Sequence, residues 1–293
     1  MNTHQNHKMH YAIKDGTFIT IADALPGLKC GCTCPACGKP LVAKKGKNRI
    51  HHFAHQAGET CAHGYETSLH LVAKEILAKA KQIVLPDLYT NIYRHNFTAL
   101  EAWETIRVIE KQNVIIDHVD LETFSDEFIP DVTIYFGEQK VHLEIRVSHK
   151  IDERKLEKIK KSNVSTIEID LSKWPDYISY EELKELLIGN NQWKKWIHNS
   201  FSQAYVDGLL KYISSHTERQ KVITDSSSPL REKLCPIKLM ATIERDVHIW
   251  RCQKCNYCWG YDAETNTVQC TGRERIGTIK EFKALYDAEY NIP

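Results

Sequence analysis

No stretch of this chain is apolar for long enough to cross a bilayer, which takes about 20 consecutive residues. The opening residues, MNTHQNHKMHYAIKDG, hold no hydrophobic run of a secretory leader. No membrane association is expected, and the expected location is the cytoplasm. An excess of one charge is missing too. Lys and Arg number 39 against 38 Asp and Glu, a formal net charge of +1, so a globally basic nucleic-acid binder is not indicated and any such contact must come from local patches. Cysteine is absent from the whole middle of the chain. The ten cysteines fall into two groups, Cys30, Cys32, Cys34, Cys37 and Cys61 near the start, and Cys235, Cys252, Cys255, Cys258 and Cys270 near the end. In a reducing compartment such clusters argue for metal rather than disulfides. Two zinc modules flanking a central domain are therefore expected, and 293 residues leave room for two or three domains.

What is present begins with Cys34-Pro35-Ala36-Cys37-Gly38, a zinc-knuckle pattern in which a tight turn aims two thiolates at one ion and Gly38 lets the backbone fold over them. His51-His52-Phe53-Ala54-His55 follows, and His52 and His55 repeat the two-residue spacing. The expected quartet is Cys34, Cys37, His52 and His55, with Cys61 able to replace a histidine. Four ligands leave no open position, so this zinc is structural. From Glu66 a long amphipathic helix is predicted to about Ile83, with Glu66, His70 and Lys74 spaced by four along one polar stripe.

The richest stretch is IPDVTIYFGEQKVHLEIRVSHKIDERK, Ile129 to Lys155. Asp131 to Phe136 and Val141 to Val147 read as strands joined by a turn at Gly137 to Lys140, with Glu144 and Arg146 on one face. The hairpin brings Asp131 and Glu144 together, and two carboxylates there make a hard oxygen site suited to Mg²⁺ or Mn²⁺. Further strands are predicted at Trp103 to Glu110, Asn113 to Val119 and Ser165 to Leu171, and helices at Glu153 to Lys161, Ser179 to Leu187 and Asn191 to Ser214. Thr224 to Leu230 (TDSSSPL) is linker-like. In the last part Cys235, Cys252, Cys255 and Cys270 form the expected second zinc quartet, with Cys258 as the alternative, and strands at Val247 to Arg251 and Thr267 to Gln269 complete a zinc ribbon before a terminal helix. The domain boundaries read this way are 1–62, 63–190, 191–230 (helical connector and linker) and 231–293.

Cys-Pro-x-Cys-Gly, a Lys/Gly hairpin, His-Phe-Ala-His and then Glu-x-x-x-His-x-x-x-Lys, in that order from Tyr11 to Leu171, resemble the CoiA-like competence protein family. The resemblance implies a zinc-finger-like N-terminus joined to a nuclease of the PD-(D/E)xK superfamily. The fold class is then α/β, a restriction-endonuclease-like central core flanked by two small zinc-binding modules. It also implies that Glu66 and His70 face the active site beside Asp131 and Glu144. The expected activity is Mg²⁺- or Mn²⁺-dependent hydrolysis of DNA, single- or double-stranded, by an endo- or exonuclease serving DNA uptake, recombination or defence against foreign DNA, with protein partners from such a system. The alternative is an inactive DNA-binding accessory protein on the same fold. Where the superfamily usually places lysine, two residues after the glutamate, this chain has Arg146. Arginine stabilises charge but does not give up a proton, and Lys150 or Lys155 would have to compensate.

Overall fold

The computed structural model describes residues 8–47, 50–56, 61, 63–94, 102–125, 127–173, 178–222, 252 and 254–292. Cys235, the linker at Thr224 to Leu230 and the strand at Val247 to Arg251 lie outside the described residues. The fold is mixed α/β. Among the described residues no helix is long and apolar enough to cross a membrane. The chain divides into two units, Met1–Asp87 with Glu110–Ser200, and Leu88–Ile109 with Phe201–Pro293.

The first unit opens with a small module. Strands β1 (Tyr11–Lys14) and β2 (Thr17–Thr20) form a hairpin whose turn residues Asp15 and Gly16 both have positive φ, 51° and 78°, the geometry that matches strand twist. A second hairpin joins β3 (Leu41–Lys44) to β4 (His52–His55). Met9, Ile21, Cys30, Leu41 and Phe53 give the module its own small core.

Helix α1 (Gly64–Ala78) follows because Leu69, Val72, Ala73, Ile76 and Leu77 recur at helical spacing and are all buried. Burying each large aliphatic side chain contributes about 1.5–3 kcal/mol. The helix stops at Ala78 instead of running to Ile83, and Gln82–Leu85 becomes strand β5, paired antiparallel with a later strand, Gln112–Ile115. Ile83 and Val84 are β-branched and Pro86 follows closely, so extended backbone wins there.

Numbered in chain order, Gln112–Ile115 is β8, because two strands of the second unit, β6 (Leu88–Arg94) and β7 (Ala102–Ile109), come before it. The single strand expected over Asn113 to Val119 is in fact two, β8 and β9 (His118–Leu121), in different sheets. The break falls at Asp117, whose N–H donates to the Tyr135 carbonyl at 2.8 Å and whose carboxylate accepts the Gly137 N–H at 2.7 Å. The main sheet has the order β13-β12-β11-β10-β9, where β10 is Val132–Phe136, β11 Gln139–Arg146, β12 Thr166–Asp170 and β13 Lys194–His198. Strand β11 lies parallel to β12, and helix α2 (Glu153–Ser162) makes the crossover between them. Helix α3 (Tyr180–Ile188) starts at a capping box, Ser179 with Glu182.

Strand alternation gives the sheet two unlike faces. Val132, Ile134, Leu143, Ile145, Ile167 and Ile169 share one core with buried residues of α1 and α3. Thr133, His142, Glu144, Thr166 and Glu168 occupy alternate positions and point the other way. The helix expected over Asn191 to Ser214 is corrected to strand β13, then helix α4 (Ser202–His216). Lys194 and Trp196 alternate along β13. Lys194 Nζ donates to the carbonyls of Val84 (2.8 Å) and Ile188 (3.2 Å), and Trp196 Nε1–H to that of Pro86 (2.9 Å). Ser200 then donates its N–H to Ser165 Oγ at 3.2 Å, side-chain competition of the kind that interrupts a helix.

In the second unit β6 and β7 form an antiparallel ribbon. The strand expected at Trp103 to Glu110 belongs to this unit, although the 63–190 boundary placed it in the central domain. Ile92, Ile106 and Val108 on the ribbon form a core with Leu209 and Ile213 of α4 and with Phe282 of helix α5 (Ile279–Tyr290). A three-stranded sheet completes the unit, in the order β14-β16-β15, with β14 Glu218–Lys221, β15 Cys258–Asp262 and β16 Thr267–Cys270.

Candidate functional site

A cleft of about 260 Å³ opens where β10 and β11 part. The last registered pair of that hairpin is Val132 with Leu143, so Asp131 and Glu144 come next at its end. Asp131 Oδ2 accepts the Ile145 N–H at 2.8 Å and lies 3.0 Å from His70 Nε2, and Oδ1 lies 3.1 Å from Lys74 Nζ. Burial works against ionisation there. The hydrogen bond and charge of His70, the Ile145 amide and Lys74 outweigh it and hold the Asp131 carboxyl well below the usual carboxylate range.

Glu144 is 4% exposed. Its Oε2 accepts from Lys155 Nζ, while Oε1 is buried without a hydrogen-bond partner. Burial, then the charge of Asp131, pushes its carboxyl up to about 7, with Lys155 and Lys74 pulling it back. Lys155 reaches this point because the Asp152 side chain caps α2 by accepting the Lys155 N–H at 2.7 Å, which fixes the first turn of the helix.

Of the residues expected at the site, His70, Asp131, Glu144 and Arg146 line the cleft. Glu66 does not. Its Oε1 accepts from the Ser148 hydroxyl, one helical turn from His70. Arg146 is turned along the sheet, with Nη1 3.1 Å from Asp170 and 3.9 Å from Glu168. Sequence reasoning missed Glu168, which parallel register sets beside Glu144 and whose carboxyl burial pushes upward. It also read Lys74 as one member of an exposed stripe, whereas Lys74 is buried between Asp131 and Glu122.

A second constellation lies in the N-terminal module. One donor atom from each of Cys34, Cys37, His55 and Cys61 falls within 4.8 Å of all the others. The Cys34–Cys37 turn closes through Gly38, at φ 70°, whose N–H donates to the Cys34 carbonyl at 2.8 Å. Cys37 Sγ stands 3.2 Å from His55 Nε2. The Lys39 N–H holds the Cys37 thiol below its ordinary value, while burial pushes Cys34 up to about 11. Three sulfurs and an imidazole at these separations suit tetrahedral zinc, with Zn–S bonds of about 2.3 Å. His52 is replaced by Cys61 in this set. Residues 52 and 55 are three apart on β4 and so face opposite sides of a strand, and His52 Nδ1 instead bonds the Ile50 carbonyl at 2.9 Å. Cys30 and Cys32 are buried thiols directed at the carbonyls of Leu41 and Cys30.

All four donors fall within one stretch that is recognisable. Residues 25–64 match the family model of the competence protein CoiA, N-terminal domain. No curated protein and no solved structure matches the chain. The CoiA match supports the resemblance over the module with the Cys/His cluster, and it ends at Gly64, just short of Glu66 and His70.

Beyond the CoiA-like stretch, Cys252, Cys258 and Cys270 are buried together with Val268, and Cys255 packs against them. Cys258 faces Cys270 in register, and the Gly272 N–H donates to Cys270 Sγ at 3.1 Å.

Proposed function

We propose that this chain is a nuclease that hydrolyses DNA phosphodiester bonds with the help of Mg²⁺ or Mn²⁺, on a central sheet of the restriction-endonuclease type. The observation that carries the reading is Glu144 Oε1, a buried carboxylate oxygen without a hydrogen-bond partner beside the Asp131 carboxylate. An unsatisfied carboxyl oxygen at such a depth is costly, and a hard cation is what such an oxygen takes. Asp131, Glu144 and the Ile145 carbonyl are the groups that would hold the ion, which supplies Lewis-acid polarisation of the phosphate and a more acidic bound water.

The chain's own residues do the rest. His70 and Lys74 keep Asp131 ionised and oriented. Lys155 stands at Glu144 on a capped helix, placed to orient water and to pass on a proton, the part that Arg146 is unsuited to play. His149 and Lys150 line the same cleft and are placed to meet phosphate oxygens. The cysteine clusters are structural zinc sites in this reading, the first at Cys34, Cys37, His55 and Cys61, the second on the cysteines around Cys270. Single- or double-stranded DNA is the substrate, within a system of DNA uptake, recombination or defence. The reading of an inactive DNA-binding protein draws on one observation, the engagement of Arg146 with Asp170 and Glu168.

Labelled single- and double-stranded DNA incubated with Mg²⁺ or Mn²⁺ tests the reading. The wild type should cut, and Asp131→Asn and Glu144→Gln should abolish cleavage while the protein stays folded. A wild type that does not cut, or variants that cut equally well, overturns it.

A further inference from the structure

The β6–β7 ribbon has two faces of opposite character. Register pairs Tyr93 with Trp103, Asn91 with Thr105 and Tyr89 with Arg107, and these alternate residues share one face. The residues between them, Ile92, Ile106 and Val108, are buried in the core of the second unit. The Glu104 carboxylate anchors the ribbon further by accepting the Ile279 N–H at 3.0 Å. The inner face is therefore fully explained by packing.

The outer face is not. Tyr89 is 57% exposed, Tyr93 38% and Trp103 56%. A single exposed ring needs no explanation, but three on one strand pair form a patch. The rings of Tyr93 and Trp103 lie 4.9 Å apart at an interplanar angle of 53°, so they steady each other. Between the aromatic rows the Thr105 hydroxyl donates to Asn91 Oδ1 at 2.7 Å. Arg107 supplies the charge, and none of the six residues is a carboxylate or an aliphatic side chain. With no carboxylate among them, the patch does not repel a phosphate backbone. Flat rings, a hydroxyl, an amide and a guanidinium suit a ligand made of flat bases and phosphates. Bases within a duplex stack on each other, which leaves an unpaired strand as the form that can use the rings.

We infer that the outer face of the β6–β7 ribbon binds single-stranded nucleic acid, with bases stacked on Trp103, Tyr93 and Tyr89 and a phosphate at Arg107. The choice of DNA as the strand rests on the nuclease reading, whereas the stacking does not.

The test uses the full chain without added Mg²⁺ or Mn²⁺, and fluorescence anisotropy of labelled oligodeoxythymidylate, of an abasic strand of the same length and of a duplex. Trp103→Ala and Tyr93→Ala should each weaken binding of the thymidylate strand about tenfold or more, and Trp103→Phe should stay within about threefold of the parent. The abasic strand should bind the parent about as poorly as the thymidylate strand binds Trp103→Ala. Both positions are exposed, and unchanged melting temperatures would exclude misfolding. No binding by the parent, unchanged affinity in the alanine variants, equal affinity for the abasic strand, or a duplex preference insensitive to Trp103 overturns the inference. The two readings fail separately. A protein that cuts DNA but ignores Trp103→Ala loses the ribbon and keeps the nuclease, and one that binds through Trp103 but never cuts does the reverse.

Discussion

Lys155 comes from the first turn of a helix and ends on the carboxylate of Glu144, a strand residue. In the nuclease reading Lys155→Ala should lower cleavage by about 10²–10⁴, the usual range for a positioned proton-transfer group, and leave DNA affinity within a few-fold. Single-turnover rates set against binding in metal-free buffer would separate the two effects, and an unchanged rate would remove Lys155 from the mechanism. Another buried lysine reports on folding rather than chemistry. Burial pushes Lys194 from its ordinary 10.5 to about 7. Between those values the unfolded chain binds more protons than the folded one, so the penalty for burying Lys194 is complete below about 7 and fades as pH rises toward 10.5. Lys194→Met should flatten the rise of unfolding free energy over that window, measured by denaturant titration at several pH values. An identical slope in parent and variant would contradict the assignment.

Helix α2 shows how an element can be legible while its consequence is not. The pattern read over Glu153 to Lys161 is the helix Glu153–Ser162, closed by Asn163 at φ 53° as the cap. The charge pattern does not say that the helix crosses between parallel strands, and that crossover brings Lys155 over Glu144 and sets Glu168 beside it. The Asp131–Glu144 hairpin was readable because two registered strands with a tight turn are local. Cross-sheet neighbours are not. The tryptophans at 193 and 196 mimic helical spacing, yet the segment is a strand because Lys194 and Trp196 satisfy carbonyls of distant residues. His52 and His55 likewise imitate a knuckle, but the strand period of two separates them. At this scale Asp152→Ala should cost about 0.5–2 kcal/mol of stability and also slow cleavage, since the cap fixes the turn that carries Lys155. Urea melts together with rates would show both effects, and a stable but unaffected enzyme would decouple cap from site.

For the whole molecule the metal content is the sharpest check. In the proposed reading purified protein should hold about two zinc ions per chain, one at the Cys34, Cys37, His55 and Cys61 cluster and one on the C-terminal cysteines. His55→Ala should lose one of them and His52→Ala should lose none, by elemental analysis. Loss of zinc from His52→Ala would reinstate the ligand set suggested by spacing alone, and retention by His55→Ala would overturn both sets. The domain boundaries depended on cysteine clusters and linker composition, both features of local sequence. They missed that Leu88–Ile109 belongs with the C-terminal residues, because nothing in a short amphipathic strand names the surface that will cover it.

The interleaving of the two units has a consequence in time. The ribbon leaves the ribosome long before α4 and α5, whose Leu209, Ile213 and Phe282 cover Ile92, Ile106 and Val108. At about 5–20 residues per second that delay is on the order of ten seconds. Throughout it the nascent chain carries a two-stranded ribbon with an aromatic row on one side and an uncovered aliphatic row on the other, and the first unit becomes free to close around its own core only once Ser200 has emerged.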